Sequence, residues 1–468
     1  MSPVLYRKER GCAILLDLLI KNGEYPDFEK NSLKKANIGL EEGKIVYIGE
    51  EEKPALKVID AAGKVVSPGF IDIHMHEENF AGEGKEYVIS RMMLRQGVTT
   101  CVGGNCGLTN QSLKDFKSVI EELGGAPVNY IMLSGYNSYR TSLGLGHFDP
   151  ITKEQQDYIR ERIKEDLEEG AWGLSFGIEY DPAITFEEIV YACGVSDDEN
   201  LLAAAHYRAD CIGNIDSVKE MVDIQNHISQ KFQISHLSSC SAIGQMKPSL
   251  DYINEAMEKN PKLNYDTYPY NAFSTHIAST VFDDGCLEVW GKEYNDLLLT
   301  DEPYRNVRCT EEIFRECREK YPEMLVVAFV MNEEEIGMAI ANKNGMVASD
   351  GIINNGNGHP RAAGTFPRVL GKYVREDKLL PLTDALRKMT LEPAKRLGLE
   401  SRKGVIAVGA DADLTIFNPE TVIDGATFGD LETPPQGIDY VIVGGKVAVQ
   451  DNAFVDERLG RFINFKEQ

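Results

Sequence analysis

From residue 65 to about residue 399 the chain alternates short, β-rich apolar runs with longer charged stretches, and it does so eight times. The apolar runs span 65–76, 97–106, 126–136, 171–177, 200–208, 232–237, 262–270 and 345–351. Between them, stretches such as 152–169, 216–230 and 250–259 repeat their apolar residues at helical spacing. Strands that alternate with helices pair in parallel, because the crossover returns the chain to the same end of the sheet. Eight such units are the number that closes a barrel, so the pattern predicts an α/β fold of the TIM-like (β/α)8 type over 65–404.

The interval 274–331 is long for one connection and carries its own helical pattern at 310–321, so a lid-like insertion is expected there. Residues 1–64 and 405–468 are rich in short strands, at 13–20, 44–48, 414–417 and 440–443, with turns expected at Asn22-Gly23 and Gly444-Gly445. Both chain ends are therefore assigned to one small β-sandwich domain beside the barrel. A formal net charge of −25 repels nucleic acid and anionic membrane surfaces, which argues against both as partners. The apolar run 12–20 is too short to span a bilayer, is interrupted by Asp17 and precedes no small-residue cleavage site. The nine cysteines form no CxxC pair, so reduced thiols and a cytoplasmic location are expected.

Potential metal ligands recur where the predicted strands end, which is where a βα barrel assembles its active site. His74-Met75-His76 places two imidazoles at i and i+2, on one face of a strand. Cys106 follows Gly103-Gly104-Asn105, His206 closes the fifth run, His236 the sixth, and Asp350 the eighth. Singly, each has a plainer reading as a packed histidine, a buried thiol or a turn-forming Asp-Gly. Five strands delivering a ligand at the same end make coincidence the poorer account. Imidazole and thiolate suit zinc better than magnesium or calcium, although iron, cobalt and nickel stay open from sequence alone. Zinc lowers the pKa of bound water to about 7, which supplies a hydrolytic nucleophile at neutral pH. Asp350 is expected to carry the proton from that water to a departing nitrogen.

With these residues in view, the chain resembles the amidohydrolase superfamily and, within it, the N-acyl-D-amino-acid deacylase (D-aminoacylase) family. The resemblance rests on Pro68-Gly69-Phe70-Ile71-Asp72-Ile73-His74-Met75-His76, Gly97-Val98-Thr99-Thr100, Asn105-Cys106-Gly107 and Gly173-Leu174-Ser175 followed by Tyr180. It continues through Tyr268-Pro269-Tyr270, Ser349-Asp350-Gly351, His359-Pro360-Arg361, Gly364-Thr365-Phe366-Pro367-Arg368 and Gly409-Ala410-Asp411-Ala412-Asp413-Leu414. It implies a tight zinc on Cys106, His206 and His236 and a second, weaker site on His74, His76 and Asp350 that shares Cys106. It further implies that Tyr180 polarises the scissile carbonyl, while Arg361, Tyr268 and Ser274 hold the substrate's α-carboxylate. A guanidinium fork suits that last task on its own chemistry.

Two departures bear on substrate. Ser238 stands where many family members carry a carboxylate-binding lysine, and Glu77-Glu78 replaces a common aspartate pair. The expected reaction is hydrolysis of a small-molecule amide, foremost an N-acyl-D-amino acid, to a carboxylate and a free D-amino acid. The rivals are a cyclic amide of hydantoin or dihydropyrimidine type or a dipeptide-like substrate on the same centre, with Ser238 marking a changed pocket. A non-catalytic metal-binding scaffold is a third reading. The sequence does not address oligomeric state.

Overall fold

The computed structural model describes residues 15–82 and 84–468. Cys12 and residues 13–14 of the first expected strand lie outside the described residues.

Parallel strands form two sheets. One holds Phe70–Asp72, Val98–Gly103 and Asn129–Met132. The other holds, in spatial order, Ser134–Gly135, Gly173–Gly177, Leu202–His206, Lys231–Ile234, Leu263–Thr267 and Met346–Val347. Every residue of Val98–Gly103 and Leu202–His206 is buried, as strands covered on both faces require. Their side chains alternate between two cores. Phe70, Cys101, Tyr130, Leu174, Ala203 and Phe232 join the larger cluster, and Ile71, Val102, Ile131, Leu202, Ala204 and Met346 gather in a smaller one. The Leu133 amide donates to Gly103 O at 3.0 Å and the Trp172 amide to Met132 O at 2.9 Å, linking the two sheets along one edge. Along the other edge the Asp350 amide donates to His74 O at 2.8 Å and the His76 amide to Gly351 O at 2.9 Å. The eighth run keeps only Met346–Val347 in regular ladder, because Asp350 at φ +49° turns the backbone out of the extended region.

Helices fill the crossovers, among them Leu113–Glu122, Lys153–Glu169, Asn214–His227 and Met246–Lys259. Lys153–Glu169 starts where the sequence says it should. Thr152 and Gln155 cap each other's backbone amides, and Gly170 ends the helix in the left-handed region at φ +108°.

The chain ends pair with each other. Nine strands form one mixed sheet in which Leu414–Phe417 hydrogen bonds to Val65–Pro68, and Val65–Pro68 to Leu16–Asp27. Ser32–Glu41, Lys44–Gly49 and Ala55–Asp60 extend it on one side, and Ile438–Val443, Lys446–Gln450 and Ala453–Phe454 on the other. The sheet encloses its own core of Leu18, Ile38, Ile45, Val66, Leu414 and Ile442. Gly444 and Gly445, at φ +55° and +79°, turn the chain between two strands as expected, since the tight right-twisted hairpin demands positive φ at both positions. Asn22-Gly23 does not turn. Leu16–Asp27 runs straight through it, and the pairing slips there and resumes at Gly23 and Ala36, so Asn22 at φ +62° is a bulge.

The 274–331 interval folds on itself. Phe273–His276 and Leu297–Leu299 flank Leu325–Ala328 in an antiparallel sheet, and the expected helix appears as Glu311–Lys320, capped by Thr310.

Candidate metal centre

Four of the predicted ligands meet at the C-terminal ends of the parallel strands. Ligand atoms of His74, Cys106, His236 and Asp350 lie within 4.8 Å of one another, and all four residues are buried. Cys106 Sγ lies 3.3 Å from His74 Nε2 and 3.4 Å from His236 Nε2, and Asp350 Oδ1 lies 3.4 Å from both His74 Nε2 and His76 Nε2. Three of the four sit on strained backbone: Cys106 at φ +53°, His236 at +33° and Asp350 at +49°. Residues other than glycine pay for such conformations, and proteins keep them chiefly where a side chain must be aimed. His206 stands alongside, its ring centroid 4.5 Å from that of His236, with Nε2 turned 2.7 Å from Glu179 Oε2.

The charges in the cluster bias one another's ionisation. Burial opposes ionisation of Cys106, yet the His74 and His236 imidazoles outweigh it and hold the thiol well below its usual range. Burial likewise disfavours the imidazolium at His74, but the Cys106 thiolate and the Asp266 carboxylate push its pKa well up. His236 rises against burial to about 9 through Asp350 and Cys106. Asp350 is pushed up by burial and pulled further down by Arg361, His236 and the two histidines of the first strand. A buried thiolate, imidazoles and a carboxylate gathered at one point are the donor set of a transition metal, and their nitrogen and sulfur content fits zinc.

Sequence reasoning missed Asp266. Its Oδ1 lies 3.2 Å from His74 Nδ1 and accepts the His236 backbone amide at 2.8 Å, so one carboxylate faces one imidazole and anchors the backbone that carries another. Such partners fix the tautomer of a metal-binding histidine. The signal was its place one residue inside the end of Leu263–Thr267, two before Tyr268. Ser239 Oγ, 2.6 Å from His236 Nδ1, plays the equivalent part for the His236 ring and was also missed.

The expected substrate groups divide. Tyr180 and Ser274 line a cleft of about 320 Å³ that reaches His206, His236 and Asp350. Burial pushes the Tyr180 hydroxyl far up, so it stays protonated. The Ser274 hydroxyl is buried with no hydrogen-bond partner among the described residues. Arg361 Nη1 lies 2.8 Å from Asp350 Oδ2, Nη2 donates to Ser274 O at 2.9 Å, and Nε has no partner among the described residues. Tyr268 lies under that guanidinium, its ring centroid 4.8 Å away. Ser238 is fully buried, its hydroxyl also unpartnered among the described residues, and does not line the cleft.

Residues 65–448 match the profile of the Amidohydrolase family. The chain is 30% identical to the D-aminoacylase of Alcaligenes xylosoxydans xylosoxydans, over 96% of this chain and 97% of that one. It is also 30% identical to the N-acyl-D-glutamate deacylase of the same organism, over 96% of each. The crystal structure of N-acyl-D-glutamate deacylase from Bordetella bronchiseptica, complexed with zinc and a phosphonate mimic of the tetrahedral intermediate, superposes with a TM-score of 0.86. That pair is 27% identical, covering 96% of this chain and all of the other.

Proposed function

The chain belongs to the amidohydrolase family, and from that premise we propose that it is a zinc-dependent hydrolase that removes the acyl group from an N-acyl-D-amino acid. The observation that carries this reading is the convergence of His74, Cys106, His236 and Asp350 on one buried point at the strand ends. Sequence similarity along nearly the whole length of two D-specific deacylases selects the substrate class. We further propose that the two parallel sheets close into a (β/α)8 barrel over 65–404. The Met75–Gly351 bridge and the Trp172-to-Met132 hydrogen bond support closure at its two seams. The shared core of residues from both chain ends supports a separate small β domain over 1–64 and 405–468.

His74, His76, Cys106, His206, His236 and Asp350 would hold the metal, with one tight position and a weaker second one. Bound zinc supplies a Lewis acid and lowers the pKa of water to about 7. The residues do the rest. Asp350 Oδ1 faces two imidazoles while Oδ2 is held by Arg361, so the carboxylate is aimed to take a proton from the attacking water and pass it to the leaving nitrogen. Tyr180, kept protonated and with its ring tilted against that of His206 at a centroid distance of 4.6 Å, donates to the carbonyl oxygen as charge grows on it. Arg361 Nε and Ser274 Oγ, without partners among the described residues, are buried donors available to an α-carboxylate, with Tyr268 fixing the guanidinium plane.

Ser238 favours a second reading, ring opening of a cyclic amide, because it removes the cation that many deacylases of the family place near the substrate carboxylate. Zinc-loaded protein is expected to deacylate N-acetyl-D-amino acids and leave the L-isomers, hydantoins and dihydropyrimidines intact. Opening of rings alone would transfer the assignment to the second reading.

No helix among the described residues is long and apolar enough to cross a membrane. The eight described cysteines are all free, which supports a reducing, cytoplasmic setting. The partner is a small molecule.

A further inference from the structure

The cleft that reaches His206, His236 and Asp350 has a counterpart on the other side of the cluster. This second cleft, of about 690 Å³, reaches His76 and shares no lining residue with the first. The cluster itself is the partition. Asp350 borders the first cleft, and its Oδ1 lies 3.4 Å from the Nε2 of His76, which borders the second. The strand Phe273–His276 also divides them: Ser274 and Thr275 line the first cleft, whereas His276 lines the second.

The walls of the second cleft come from separate segments that hydrogen bonds hold in place. Glu77 accepts the Gly104 and Asn110 backbone amides at 2.9 and 2.8 Å. Ile353–Asn354 pairs with Asn357–Gly358, and Asn354 Nδ2 donates to Glu323 O at 2.8 Å. Leu108, Ile352 and Ile353 line the cleft half-buried, so apolar surface there faces open space instead of core. An apolar group laid on such surface is favoured by the water it releases. Glu77 and Glu323 are the charged lining residues, with no lysine or arginine beside them, so an anionic group is disfavoured.

An amide has two halves, and the deacylase reading above places only one of them. Ser274 and Tyr180, which that reading gives to the α-carboxylate and the scissile carbonyl, both line the first cleft, so the amino-acid half lies there. In a trans amide the acyl chain and the amino-acid Cα stand on opposite sides of the planar C–N bond. With the carbonyl at the cluster, the acyl chain departs on the His76 side. We propose that the second cleft binds the acyl half of the substrate, and that this half is an uncharged apolar chain longer than acetyl. The inference rests on the deacylase reading and adds Leu108, Ile352 and Ile353 to it as the residues that select the acyl group. An acetyl methyl leaves most of the cleft unfilled, whereas each added methylene covers more of the apolar wall.

The test is a series of N-acetyl-, N-butanoyl- and N-hexanoyl-D-leucine offered to the zinc-loaded, full-length protein. The value of kcat/KM is expected to rise about two- to fourfold per methylene. Ile353→Asp and Leu108→Ala, on different segments, are each expected to lower the hexanoyl-to-acetyl ratio by about fivefold or more. Scoring each variant against its own acetyl rate keeps a partly unfolded preparation from imitating that change. Ratios unmoved in both variants overturn the proposal, as does a changed preference among D-amino-acid side chains in place of one among acyl groups. A second readout needs no turnover: calorimetric binding of hexanoate, the product of this half, should weaken about fivefold in both variants. Affinities equal to wild type overturn the assignment. A protein that hydrolyses no member of the series removes the deacylase reading and this one with it. One that hydrolyses the acetyl substrate and slows with every added methylene removes this one alone.

Discussion

The two ends of the same parallel strands treat buried charge in opposite ways. At the N-terminal end Arg396 donates to Gln233 Oε1 at 3.1 Å and to Phe232 O, and Lys388 donates to the carbonyls of Asn342, Asn344 and Gly345. Each cation there is wrapped by acceptors that need nothing from outside. At the C-terminal end Cys106, His236 and Asp350 sit at positive φ, and the hydroxyls of Ser238 and Ser274 lack partners among the described residues. Satisfied polar groups stabilise the fold, whereas strained or unsatisfied ones await a ligand that only the folded state can bind. The comparison therefore assigns stability to one end and chemistry to the other, and each assignment has a measurable consequence.

The largest consequence is at Asp350. Asp350→Asn keeps the size of the side chain but removes its capacity to carry a proton, so turnover is expected to fall by about 10²- to 10⁴-fold with the circular dichroism spectrum unchanged. Activity within a few-fold of wild type would take Asp350 out of the proton path. Next is Tyr180→Phe, which deletes one donor to the developing oxyanion. Steady-state kinetics should show kcat lower by about 10²- to 10³-fold and KM little changed. A rise in KM alone would make the tyrosine a binding group.

Which side chains would meet was legible where local periodicity carried the signal. His74 and His76 share a strand face by simple alternation, and the glycines before Cys106 announced a close backbone approach. Gly104, at φ +72°, has room for no Cβ against the Leu133 backbone, which bears that out. The orienting groups were not legible, because their roles depend on pairings between distant segments. Asp266 reads as an ordinary polar strand residue until the fold places it against His74 and His236. Asn22-Gly23 misled for the converse reason. Its turn chemistry is genuine, but pairing with Ser32–Glu41 on both sides overrode it and left a bulge.

At the opposite end of the strands, Lys388→Met leaves three buried carbonyls without their donor. It is expected to cost about 1–3 kcal/mol of stability in urea unfolding and to leave kcat/KM unchanged. A loss of activity at unaltered stability would break the division between the two ends.

The smallest effect tests how completely that buried charge is compensated. Burial lowers the Lys388 pKa to about 8, against the pull of Asp384 and Glu392, whereas in the unfolded chain it returns to about 10.4. Between these values the unfolded chain holds a proton that the folded protein has released. The unfolded state then binds more protons, so this residue's contribution to stability rises with pH through that window and is flat below it. Unfolding free energies of wild type and Lys388→Met, compared from about pH 7 to about pH 10, should diverge in favour of wild type as pH increases. A difference that stays constant would mean that the three carbonyls keep the ammonium charged throughout, and the N-terminal end would then balance its buried charge more fully than burial alone allows.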